Sequence, residues 1–325
     1  MRLPLFLLIV LAAWTRCALV PGFTSFLDDD PYPKTPGLRV PVPALFSQRY
    51  SEQTFIGTHD SAAIRTPENG WSISGNQYFD VSKQLDSGVR LLQAQGHRDS
   101  NGTSTIRLCH FNCALMDGGS LTEHLLTVRR FLDEHPYEVV TLLFVNTGPP
   151  LTHWAQAYYD TGLDLMSYIP PRWKRHGFMR LQDWPTIAEM VATNKRVVSF
   201  MSSGANEDII PYLLNQFDYM FETDFGIEAP DQYSCVPARP RWWDPSYVPA
   251  RLSLVNHFLY AKFLGFRYPN STYANHTNAA SFRVGELGEH AARCRSAYAR
   301  RPNFFLVDFF NEGDVFDVEW GMNAF

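Results

Sequence analysis

The chain has 325 residues, 45% of them hydrophobic, a formal charge of −5 and no basic block. That is enough apolar material for one large domain with a full core, or for two small ones. The charge balance argues against a nucleic-acid partner and offers no strong electrostatic route to anionic membranes.

Met1-Arg2, the apolar run 3–14 and the small residues Cys17 and Ala18 read as a secretory signal peptide over 1–18. The run is too short to span a bilayer comfortably, which leaves an uncleaved anchor as the weaker alternative and makes a secreted, extracellular protein the expectation. Residues 19–50, rich in Pro and turn formers, read as an extended lead-in to a single domain over 51–325. Within that domain, β-rich runs at 54–57, 89–95, 105–109, 139–145, 196–201, 219–222, 253–256 and 304–308 alternate with longer polar or amphipathic stretches. The runs at 139–145 and 304–307 are continuously apolar, as buried parallel strands tend to be. Helical spacing covers 121–135, 184–193 and 279–300, the last weakened by Gly285 and Gly288. Eight runs with mostly helical crossovers predict an α/β protein: a single irregular TIM (β/α)8 barrel. The irregularity lies between runs two and three, where the gap is too short for a full helix.

Several of these runs end in a polar residue. His59 and Asp60 follow the first in Gly57-Thr58-His59-Asp60-Ser61; Gln95 and His97 end the second; His110 ends the third. Asn146, Glu222, Asn256-His257 and Asp308 end later runs. Strand alternation puts His59 on the face of Phe55 and Gly57, and Gln93, Gln95 and His97 on the face of Val89 and Leu91. In a parallel barrel that rim is where chemistry is done, and two histidines there can divide acid and base work around one phosphorus or carbonyl atom.

Of five cysteines, Cys17 leaves with the signal. Cys109, Cys113, Cys235 and Cys294 form an even set in an oxidising compartment, with three possible pairings. Cys109–Cys113 with Cys235–Cys294 is preferred, the first being close enough to staple the segment around His110. Zinc is disfavoured because the Cys-x3-Cys spacing has no second close pair. Sequons at Asn101, Asn270 and Asn275 suit glycosylated surface loops.

Five segments, in order over about 50 to 320, resemble the phosphatidylinositol-specific phospholipase C-like phosphodiesterases of the X-domain TIM-barrel type, in their secreted fungal branch. They are Gly57-Thr58-His59-Asp60-Ser61, the stretch 85–95, Leu108-Cys109-His110-Phe111-Asn112-Cys113, the stretch 135–142, and Pro302-Asn303-Phe304-Phe305-Leu306-Val307-Asp308-Phe309-Phe310. The resemblance implies a phosphoric diester hydrolase with His59 as general base and His110 as general acid. It further implies Asp308 orienting the base, Asp60 supporting the acid or the phosphate site, and a cyclic phosphate where the substrate carries a neighbouring hydroxyl. The implied substrate is a phosphodiester, with phospholipid and glycosyl-inositol headgroups as candidates, and transient contact with a membrane surface follows. A monomer is expected. Candidate substrate-binding residues are Gln93, Gln95, His97, Asn146, Glu222 and Asn256.

The sequence departs from the family at strand two. Gln93 and Gln95 stand where metal-independent members carry an arginine and calcium-dependent members carry carboxylates. Neutral amides are poor calcium ligands, so no metal and no cofactor is expected. His97 or Arg98 are stand-ins for the missing positive charge, and Arg90, by parity, faces away from the interior. Two alternatives follow: a non-catalytic barrel binding a phosphorylated headgroup or glycan, and a glycoside hydrolase built on Glu222 and Asp308, which needs two carboxylates about 5–9.5 Å apart.

Overall fold

The computed structural model describes residues 46–324; the expected signal peptide and most of the lead-in lie outside the described residues. In chain order the strands are β1 (Phe55–Thr58), β2 (Leu91–Arg98), β3 (Ile106–Cys109), β4 (Asp117–Ser120), β5 (Val140–Asn146), β6 (Val197–Met201) and β7 (Leu213–Asn215). They continue as β8 (Met220–Thr223), β9 (Pro237–Arg239), β10 (Leu252–Asn256), β11 (Tyr260–Phe263), β12 (Phe266–Pro269) and β13 (Phe304–Val307). Eight of them pair in parallel in the order β7-β6-β5-β2-β1-β13-β10-β8. Read cyclically this is chain order, the neighbour sequence of a (β/α)8 barrel. The ladder is open between β7 and β8, which are joined by one helical turn, Gln216–Tyr219.

Seven of the eight expected runs become barrel strands. The run 105–109 does not: β3 pairs antiparallel with β2, Gly96 opposite Leu108, and then with β4. The connection after β2 is too short for a crossover helix, so the chain can only return as a hairpin. The missing barrel strand is β7, whose three residues are too few to carry a periodic signal. The helix expected over 121–135 spans Leu121–Glu134, opened by a capping box between Ser120 and Glu123. The one expected over 184–193 shortens to Ile187–Ala192, capped by Thr186, and the one expected over 279–300 shortens to Leu287–Tyr298. The last begins only after Gly285, whose left-handed backbone (φ +86°) ends the preceding loop.

Alternation along the strands sorts the core into two layers. Leu91, Leu143, Phe200, Leu254, Phe304 and Leu306 belong to one cluster, inside the barrel. Ile56, Leu92, Leu142, Phe144, Phe305 and Val307 belong to the other, against helix residues such as Leu125, Val128, Leu132 and Ala291. The barrel floor is closed by Tyr50 from the end of the lead-in, its ring 5.0 Å from that of Trp184 and its hydroxyl 2.7 Å from Thr141 Oγ1. With the floor filled by packed side chains, the end of the barrel left for a site is the C-terminal end of the strands. Disulfides join Cys109 to Cys113 and Cys235 to Cys294, the preferred pairing.

Candidate active site

β1 brings the first histidine to the rim. A Cβ on Gly57 would lie 2.7 Å from Leu91 Cδ2 and 2.8 Å from Leu91 Cβ, so glycine is what lets this strand lie so close to β2. His59 then extends the ladder by donating its backbone N–H to Val307 O at 2.9 Å. Its Nδ1 is 3.0 Å from Asp308 Oδ1, and its ring lies flat on Phe258, centroids 3.9 Å apart at 5°. The buried Asn76 amide donates to the same Asp308 oxygen at 2.9 Å. Gln77 Nε2 donates to His59 O at 3.0 Å and to Val307 O at 3.1 Å.

His110 arrives on the antiparallel extension rather than on a barrel strand. Its Nδ1 is 2.7 Å from Ser74 O. A carbonyl can only accept, so Nδ1 carries a hydrogen and Nε2 is the atom turned to Asp60. The His59 and His110 rings are 6.1 Å apart between centroids, edge to face. Between them sits Asp60, whose Oδ2 is 3.4 Å from Nε2 of each histidine. Gln95 Nε2 donates to the Asp60 carboxylate at 2.9 and 3.2 Å, and Gln93 Oε1 accepts from Asp60 N at 2.6 Å. All four of His59, Asp60, His110 and Asp308 are buried.

The backbone is strained at the same points. Asp60 after His59, Phe111 after His110 and Phe309 after Asp308 all have left-handed φ, at 43°, 61° and 46°. Each such non-glycine residue costs about 1–3 kcal/mol, and strain of this kind collects where a side chain must be aimed. Electrostatics favour a basic His59: burial alone would lower its pKa, but the Asp308 and Asp60 carboxylates outweigh burial and raise it above 6.5.

The PI-PLC X family profile matches residues 45–323. The chain belongs to the PI-PLC X domain family. PI-PLC X domain-containing protein 1 of Arthroderma benhamiae is 37% identical over 284 residues, 87% of this chain and 88% of the relative. An uncharacterised secreted protein of the same fungus is 35% identical, over 83% of this chain and 59% of its own length. Among solved structures, a pentafluoro-phenylalanine-containing phosphatidylinositol-specific phospholipase C of Staphylococcus aureus superposes with a TM-score of 0.60 at 15% identity. That superposition covers 85% of this chain and 94% of the bacterial one. The phospholipase C of Listeria monocytogenes gives 0.55 at 13% identity, over 88% and 96%. At such identity these two bear on the fold alone.

The other candidate residues of this PI-PLC X chain are placed as follows. Asn146 Oδ1 accepts from Gly148 N at 3.1 Å, and Asn256 Nδ2 donates to Thr223 O at 2.8 Å, so both amides bond loop or strand backbone. Glu222 is buried and ion-paired with Arg239 of β9; burial pushes its carboxyl pKa up against the pull of Arg239. His97 is half-buried, with no protein hydrogen-bond partner for Nε2. Arg98 is exposed. Arg90 bonds Glu138 at 2.7 Å and lies over Phe131, away from the histidines as its parity implied. His257 faces inward to the fold: its Nδ1 is 2.9 Å from His290 Nδ1, its Nε2 2.8 Å from Thr277 O, and burial lowers its pKa to about 4.

Four residues of this site carried no usable sequence signal: Ser74, Asn76, Gln77 and Phe258. The first three sit in a loop of Ser, Gly, Asn and Gln that reads as plain turn. Within that loop Ser74 holds His110 while Asn76 and Gln77 hold Asp308 and His59, so one short segment fixes both imidazoles.

Proposed function

We propose that this chain is a phosphoric diester hydrolase with phospholipase C-like, metal-independent acid–base chemistry. The observation that carries the reading is the convergence of two imidazole Nε2 atoms on one carboxylate oxygen, 3.4 Å from each, with all three groups buried at the barrel rim.

In this reading His59 Nε2 takes the proton of the attacking hydroxyl, while Asp308 on Nδ1 stabilises the imidazolium that forms. The hydroxyl oxygen bonds to phosphorus and the P–O bond to the alkoxide breaks. His110, protonated on Nε2 and tethered through Nδ1 to Ser74, gives its proton to that alkoxide. A neighbouring hydroxyl on the substrate yields a cyclic phosphate, and water opens it with the two roles exchanged. Each proton transfer is worth about 10²–10⁴-fold. Gln93 and Gln95 act here by aiming Asp60, since both amides bond it; a hard cation prefers carboxylates to such amides. Arg239 of β9 is ion-paired with Glu222, whose carboxylate lies within electrostatic range of His59.

The same reading makes the protein extracellular and monomeric, with the signal removed and glycans at Asn101, Asn270 and Asn275. It is supported by a secreted relative and two disulfides. Asn101 and Asn275 are exposed; Asn270 also accepts from Tyr273 N at 3.2 Å.

The test is turnover of a phosphodiester by His59→Ala and His110→Ala proteins whose melting curves match the parent. Each should lose at least about 10³-fold. A variant retaining a tenth or more of parental turnover would remove that histidine from the chemistry.

A further inference from the structure

We propose that one buried water molecule bridges Asp308 Oδ2 to Asn278 Oδ1, and that Asn278 acts through it as a positioning residue of the His59–Asp308 pair. The bonds around the two oxygens leave neither a choice of direction. Asn278 caps the end of the helical turn Ala274–Thr277, and its Nδ2 donates to Asp308 O at 2.9 Å and to Phe309 O at 3.0 Å. Both carbonyls can only accept, so the amide cannot be turned over, and its oxygen must face the other way. On Asp308, Oδ1 is already engaged by His59 and Asn76, which leaves Oδ2. Oδ2 and Asn278 Oδ1 are each buried without a hydrogen-bond partner in the protein.

Asp308 and Asn278 line one small cavity, with Phe258, Leu259, Ala274 and Phe309 among its other walls. Its volume is about 10 Å³, the room of a single water. Two acceptors cannot bond each other, and buried acceptors without a donor are rare because they forfeit their hydration. A molecule with two O–H donors and no larger than this cavity satisfies both at once. A metal cation fits less well: calcium takes six to eight oxygen ligands, and much of this wall is apolar. Phe258 is the residue stacked on His59, so the water sits directly behind the pair.

Asn278 thus grips Asp308 twice, at the backbone through its NH2 and at the carboxylate through the water. The carbonyls it holds belong to the left-handed turn at Phe309 (φ 46°) that aims Asp308. The water stabilises a bare carboxylate more than one already compensated by an imidazolium. Its loss therefore raises the pH at which His59 titrates. What this does for turnover rests on the phosphodiesterase reading above; the water and its effect on His59 do not.

The experiment has two parts. A crystal structure of the protein sharp enough to show ordered water should have one density peak about 2.5–3.0 Å from both oxygens. Ala274→Val adds bulk to the cavity wall; it should remove that peak and raise the His59 midpoint, followed by NMR of the labelled imidazole, by about half a pH unit or more. Asp60, Glu222, His110, Tyr233 and Tyr260, the other titratable groups around the pair, stay in place. A parent with no peak between the two oxygens overturns the proposal, and so does a peak ringed by five or more oxygens at cation distance, about 2.4 Å. So does a variant that has lost the peak while its His59 titrates as in the parent, since the water would then be packing alone. If the valine protein does not fold, the parent crystal decides. Turnover is not read, so a failed phosphodiesterase assay and a failed search for the water remain separate results.

Discussion

Asp308→Asn keeps the shape of the site and removes one charge. In the parent, Asp308 Oδ1 is 3.0 Å from His59 Nδ1 and accepts from Asn76 at 2.9 Å, while Oδ2 is buried without a hydrogen-bond partner in the protein. An amide can still offer its oxygen to both donors, which turns its NH2 to the unpartnered side. What vanishes is the attraction between carboxylate and imidazolium. For unit charges about 4 Å apart at an effective dielectric near 20, that is about 4 kcal/mol, or about 10³-fold in rate. The acid limb of the rate profile should move as well. His59 must be neutral to accept a proton, and its raised pKa places the rise of activity at a midpoint above 6.5. Removing the Asp308 charge lowers that pKa, so the limb shifts to lower pH. Initial rates of phosphodiester cleavage across pH measure both quantities. A loss below about fivefold with an unmoved acid limb would refute the role of Asp308 and the protonation logic built on it.

Asn76→Ala should lower turnover about ten- to a hundredfold and shift the same limb, because it removes one of the two donors holding Asp308; an unchanged pH profile would leave Asn76 a packing residue. Chelation of divalent metal should leave turnover unchanged, whereas calcium-restored activity would show that the amides of β2 do not decide the matter. His124 supplies a stability test. Burial lowers its pKa to about 4, so it stays neutral in the fold while the unfolded chain binds a proton below 6.5. Its contribution is therefore intact above 6.5 and lost as pH falls towards 4, about 3 kcal/mol over the window. His124→Leu should flatten that part of the dependence of the urea midpoint on pH, leaving the shares of His257 and His290; an unaltered slope would mean His124 is not held neutral.

The fold was largely legible because barrel strands are continuous apolar runs and the Leu121–Glu134 helix carries its own capping box. Its two surprises have one origin, that pairing is not written in propensity. The run at 105–109 looks like any strand, and only its short approach from β2 tells that it must be antiparallel. Leu213–Asn215 is too brief to announce itself. In the candidate site, the convergence of His59, Asp60, His110 and Asp308 was foreshadowed because each ends a strand-like run in a recognisable motif. The partners of Gln93 and Gln95 were not, since parity gives the face a side chain occupies and not what it meets there. Nor was the 74–77 loop, where the deciding groups are a backbone carbonyl and two amides brought in by tertiary contact.

Phosphorus NMR of the purified protein with a mixed panel of phosphodiesters, some bearing a hydroxyl beside the ester, reaches the central claim most directly. The account predicts a cyclic phosphate signal from the hydroxyl-bearing members, followed by slower ring opening, and neither signal from the His59→Ala or His110→Ala protein. Turnover of the whole panel without a cyclic species, or a cyclic product formed equally by either variant, would contradict it.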